Sequence, residues 1–172
     1  MNMLMRVSFV FVALSASLSA GFVAGTQVKT LVGGSRTVEN LRAGEKVIAG
    51  EDELIHKAVG ITSIKSKKIN RIVVAETKYG PLSMTEDQKV WDSKLNQWVE
   101  ARYLTTANQL MTYTSNNAKI QHIHTQEFTP EEEVVVFDVT LDGPHTYFAG
   151  KAQFLVHNKN KNKKRSQSLI HG

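Results

Sequence analysis

Apolar residues recur at every second position in short runs, and polar or turn-forming residues interrupt each run. In residues 134–141 (VVVFDVTL), Val135, Phe137, Val139 and Leu141 share one face of an extended strand, while Val136, Asp138 and Thr140 share the other. Residues 69–75 (INRIVVA), 45–49 (EKVIA) and 153–157 (QFLVH) also read as strands, being rich in β-branched side chains. Gly33-Gly34, Tyr79-Gly80-Pro81 and Asp142-Gly143-Pro144 read as turns between them. Trp91 and Trp98 flank a hairpin turn at residues 92–97, where they are expected to pack rather than to form a ligand platform. A short helical stripe is the competing reading for residues 99–110, and residues 129–133 (TPEEE) read as a polar loop. Periodicity shows no internal repeat. Many short strands with frequent turns predict one all-β domain over residues 21–158.

The two ends differ from this pattern. Residues 1–20 have a basic Arg6, an apolar core at 7–14 (VSFVFVAL) and the small residues SASLSAG, the layout of a secretory signal peptide. The apolar core is shorter than a membrane span. The expected location is therefore secreted or periplasmic, with no membrane association after signal removal. Signal cleavage could follow Ser19, Ala20 or Gly21. The chain of 172 residues has a net charge of +5, but five of its basic residues (Lys159, Lys161, Lys163, Lys164 and Arg165) lie in the last fourteen positions, which hold no acid. Without those five, basic and acidic residues balance, so the basic character belongs to a tail, 159–172, that is expected to be disordered. A solvated end is favoured over binding of nucleic acid or anionic membrane. There is no cysteine, which excludes disulfides, thiolate metal sites and a thiol nucleophile.

Two segments are more specific than the strand pattern. The opening one is Gly21, Phe22, Gly25, Thr26 and Val28, followed by Val38, Leu41, Gly44, Glu45 and Val47. The closing one is His145-Thr146-Tyr147-Phe148 leading to Val156-His157-Asn158. Between them lie Thr85, Gln88, Trp98-Val99, Ala101 and Leu104. In this order and spacing the blocks resemble those of the Hint family, which includes inteins and Hedgehog C-terminal regions. The resemblance implies a horseshoe-like β fold with pseudo-twofold symmetry. It also implies first and last strands side by side near the centre, bringing Gly21 close to His157 and Asn158.

The resemblance also implies a divided chemistry. The family places Cys or Ser where this chain has Gly21, and a His where it has Gln88, so the N-terminal acyl shift lacks both its nucleophile and its proton shuttle. Thr85 can still orient by hydrogen bonding. The C-terminal step is complete in composition. Asn158 can attack its own carbonyl through its side-chain nitrogen, closing a succinimide and cutting the chain. His157 would polarise that carbonyl or protonate the leaving nitrogen, and His145 would assist the Asn158 amide. Asp138 stands where many family members carry a polar or acidic residue. Lys159 follows Asn158, so no Ser, Thr or Cys is present to accept a ligation. The expected outcome is release of the tail, with signal peptidase making the N-terminal cut.

The expected activity is therefore single-turnover self-cleavage acting on the chain itself, with no cofactor and no metal. His122 and His124 have the spacing of strand-borne metal ligands but lack an evident third ligand, and His56 has no visible partner. The alternatives are a catalytically inactive, secreted Hint-like interaction module, and an all-β binding protein with fortuitous motifs.

Overall fold

The computed structural model describes residues 20–50, 56–114 and 116–158; apart from Ala20, the expected signal peptide and the basic tail lie outside the described residues. The chain forms β1 (Phe22–Val23), β2 (Gln27–Lys29), β3 (Ser35–Thr37), β4 (Lys46–Gly50), β5 (His56–Ile69), β6 (Arg71–Thr77) and β7 (Gly80–Met84). It continues through β8 (Lys89–Asp92), β9 (Gln97–Glu100), β10 (Gln109–Leu110), β11 (Ala118–Glu127), β12 (Val134–Leu141), β13 (Thr146–Ala149) and β14 (Phe154–His157). Two 3₁₀ turns, Val38–Asn40 and Ala101–Tyr103, are the helical elements among the described residues. All strand pairings are antiparallel, in the order β3-β2-β13-β14-β8-β10-β11-β6-β7-β1-β12-β5-β4, with β9 on the other side of β8.

The two long strands give the sheet its shape. β5 pairs first with β4 and then, from Ile61 onward, with β12. β11 pairs first with β10 and then, from Ile120 onward, with β6. Each therefore leaves its own hairpin and joins a strand from the opposite half of the chain. Register shifts between Ile120 and His122, and between Thr140 and Leu141, fall near these exchanges. An extra residue there bends and twists the strand, which lets one ribbon serve two sheets.

The halves repeat each other, although periodicity had shown no repeat. After β3 comes a 3₁₀ turn, a leucine whose N–H closes it, a reverse turn and the next strand; the same sequence of events follows β9. Leu41 N–H donates to Val38 O, and Leu104 N–H to Ala101 O. Val38, Leu41 and Val47 correspond in spacing to Ala101, Leu104 and Leu110, and all six are buried. Only the apolar anchors are shared between the copies, and the residues between them differ completely, which hides the repeat from the sequence. The same packing excludes a helix over 99–110. Thr105 N–H donates to Asn108 Oδ1 at 2.7 Å, so that side chain turns the backbone into β10.

Residues 69–75 are not one strand. β5 ends at Ile69, Asn70 turns the chain and β6 starts at Arg71, with Phe128 N–H donating to Asn70 O at 2.8 Å. The hairpin expected between the tryptophans is present, with Trp91 opposite Trp98 and Asn96 at φ 52°. In β12 both faces are covered. Val139 and Leu141 enter the main core with Phe22, Val28, Tyr147 and Phe154, and Val136 packs with Ile72 and Val74. A strand buried on both sides can carry a buried carboxylate only with partners, and Asp138 has them.

Candidate active site at the Asn158 junction

Both ends of the domain reach β12. β1 lies between β7 and β12, with Phe22 opposite Met84 on one side and Phe137 on the other. β14 lies between β13 and β8. The first and last strands share no strand pairing. They converge on one peptide stretch, residues 137–139: a Gly21 Cβ would meet Phe137 O, and Asn158 Nδ2 donates to Val139 O.

Asn158 reaches that stretch with its side chain. Its Nδ2 donates to Asp138 Oδ1 at 2.7 Å and also to Val139 O. Its main-chain N–H donates to His145 O at 2.7 Å. Asn158 is 3% exposed and Asp138 6%, so both bonds are shielded from water and correspondingly strong. Tyr147 packs fully buried beside this pair; burial and the Asp138 charge push its hydroxyl well above the usual tyrosine range and keep it un-ionised.

His157 and His145 sit together. Their ring centroids are 6.2 Å apart at 59°, and the Nδ1 atom of each is buried without a hydrogen-bond partner among the described residues. His145 touches Asn158 through its main-chain carbonyl, and its ring lies beside that of His157. Burial, with repulsion from His145 and Lys89, lowers the pKa of His157 below the ordinary imidazole value. The ring is thus mainly neutral at pH 7 and a stronger acid once protonated.

The loop from Thr85 to Gln88 ties both ends together. Gly21 N–H donates to Thr85 Oγ1 at 3.0 Å, and Thr85 N–H donates back to Gly21 O at 2.9 Å. Gln88 Nε2 donates at 3.0 Å to His157 O and at 3.0 Å to Lys89 O. Thr85 therefore belongs to the N-terminal junction rather than to Asn158. Gln88, where the family has a histidine, fixes the backbone just before Asn158. A single sequence could show that Gln88 cannot titrate, but not which carbonyl it would bind.

Gly21 is more than an absent side chain. A Cβ there would stand 2.7 Å from Phe137 O, closer than real Cβ atoms come, and 3.1 Å from Phe137 C. β1 has closed onto β12 as only glycine permits.

The remaining sequence candidates lie elsewhere. His122 and His124 are exposed on β11, and no cluster of three or more His, Cys, Asp or Glu suited to a metal occurs among the described residues. His56 stacks on Tyr113 at 4.5 Å and meets the edge of Phe148 at 5.1 Å, a partnership invisible in the sequence because Tyr113 and Phe148 belong to the other half.

This topology defines an intein-like Hint fold, with crossed long strands, a repeated 3₁₀ turn and an Asn-terminated last strand. The solved structures agree. The chain is similar to a bacterial intein-like domain from Clostridium thermocellum (TM-score 0.73, 24% identity, covering 80% of this chain and 98% of that one). It is also similar to the TvoVMA intein (TM-score 0.69, 13% identity, 82% and 99%) and to a DnaB intein from Synechocystis sp. PCC 6803 (TM-score 0.64, 15% identity, 83% and 100%). No protein-family model and no curated protein matches the sequence.

Proposed function

We propose that this is an exported, intein-like autoprocessing domain whose remaining reaction is cleavage after Asn158. The observation that carries the reading is the buried Asn158 side chain, with its nitrogen 2.7 Å from the Asp138 carboxylate. In the reaction, Nδ2 bonds to the main-chain carbonyl carbon of Asn158 and the C–N bond to Lys159 breaks. The Nδ2 proton passes to Asp138. The Lys159 nitrogen leaves as an amine after taking a proton from His157, whose Nδ1 is buried without a hydrogen-bond partner among the described residues. Water then opens the succinimide. Pre-orientation of Nδ2 supplies much of the acceleration, since fixed geometry can contribute about 7–11 kcal/mol to an intramolecular step.

Intact-mass measurement on the purified chain during incubation tests this. Release of residues 159–172 supports the reading, and a chain that stays whole contradicts it. Because His157 acts in its protonated form and its pKa is lowered, release is expected to accelerate as pH falls below about 6.5. It should level off beneath the lowered value. A rate that instead rises with pH would exclude His157 as the acid.

At the other end, export processing replaces the lost acyl shift. Ala20 is 2% exposed and Gly21 is bound on both main-chain groups by Thr85. A signal peptidase cutting at this junction therefore acts before the domain folds. Gly21→Cys is expected not to restore the acyl shift, because its Cβ meets the Phe137 backbone, and to lower stability by about 1–3 kcal/mol. Hydroxylamine sensitivity reports any thioester, and denaturant unfolding reports the stability.

A further inference from the structure

We propose that Trp98 is a positioning residue for C-terminal cleavage, acting through His157 by covering its ring and holding it at the junction. The role in cleavage rests on the reading above, whereas the contact itself does not. The Trp98 and His157 centroids are 5.2 Å apart at 61°, an edge-to-face arrangement, and Trp98 is itself braced by Trp91 at 5.1 Å and 72°. The registers explain why they meet. Trp91 opposes Trp98, Lys89 opposes Glu100, and His157 opposes Lys89, so all five side chains lie on one face of β14-β8-β9. Leu155 shares that face with His157 on β14 and packs in the same apolar cluster as the two tryptophans.

The charged and titratable groups around the ring are accounted for strand by strand. Lys89 comes from β8. Glu100 comes from β9, with its carboxylate engaged by Arg102 at 3.1 Å. His145 precedes β13, and Thr146 on β13 opposes His157. Trp98 is an apolar neighbour of the imidazole, so its substitution removes part of the burial. Gln88 fixes the His157 backbone from below, and Trp98 fixes the side chain.

The test is an NMR titration of His157 in the full chain carrying Asn158→Ala, which blocks cleavage. Trp98→Ala is expected to raise the His157 midpoint toward the ordinary imidazole value. Trp98→Phe, which keeps an aromatic edge, should retain the original midpoint, and Trp91→Phe should leave it unmoved. If Trp98→Ala does not fold, Trp98→Leu is titrated instead, with the same direction expected. An unchanged midpoint in the folded variant overturns the proposal. In chains that retain Asn158, Trp98→Ala should move the pH profile of tail release upward by the same amount. A shifted midpoint in a chain that never releases its tail would leave the Trp98–His157 coupling standing and overturn the cleavage reading and Trp98's role in it.

Discussion

Asn158→Ala is expected to keep residues 159–172 attached through incubations that release them from the unaltered chain. The loss should be complete rather than partial. The substitution removes the nitrogen proposed to attack the carbonyl of residue 158, and a water molecule would have to replace an intramolecular nucleophile at a residue that is 3% exposed. The folded domain should tolerate the change. Asn158 N–H keeps its bond to His145 O, and the strand pairing of β13 with β14 ends one residue earlier, at His157. Intact mass together with denaturant unfolding separates lost chemistry from lost structure. Release at an unaltered rate would mean that another agent cuts the chain.

Asp138 carries the second large effect. Asp138→Ala is expected to slow release by about 10²-fold or more, the usual size of a positioned acid–base contribution. Its carboxylate does two things for the Asn158 nitrogen. It orients Nδ2 at 2.7 Å, and it can take the proton that Nδ2 loses on bonding to carbon. Asp138→Asn separates these roles, since an amide oxygen still accepts the hydrogen bond but cannot take the proton. A rate near that of the unaltered chain for Asp138→Asn would assign Asp138 to orientation alone. A rate as low as that of Asp138→Ala would assign it to proton acceptance. Single-turnover rates followed by mass give the comparison directly.

Much of the fold was legible because alternation reports directly on extended backbone. The strand at 134–141, the hairpin between the tryptophans and the glycine turns all follow from local pattern. What stayed hidden depends on pairing between distant segments. The exchange of β6 and β12 between halves leaves no periodic trace, and the duplicated 3₁₀ turns share only Val38/Ala101, Leu41/Leu104 and Val47/Leu110. The break at Asn70 hid inside an apolar run because one polar residue suffices to reverse the chain.

The candidate site was legible to a similar depth. Asn158, His157, His145 and Asp138 could be named from the motif, and the structure brings them into one neighbourhood, with Asn158 and Asp138 buried and the two histidines half-buried. Their partners could not be read. Asp138 gave a weak signal as one polar position in an apolar strand, yet it is the residue that holds Asn158. Thr85 could be read as an orienting hydrogen-bonder, but Gly21 could not be read as what it holds. Gln88 and Trp98 act on His157 through registers that no local pattern encodes. Gly21 read as a missing nucleophile, and only the approach of β1 to Phe137 O shows that the space for one has closed as well.

The most direct measurement is the chemical identity of the new C-terminus in freshly released product. Intramolecular attack by Asn158 predicts a species ending at residue 158 that is one water lighter than the hydrolysed chain, trappable by hydroxylamine and converting with time to the heavier form. A product that carries the full mass of water from its first appearance, or a chain that never loses residues 159–172, would contradict it.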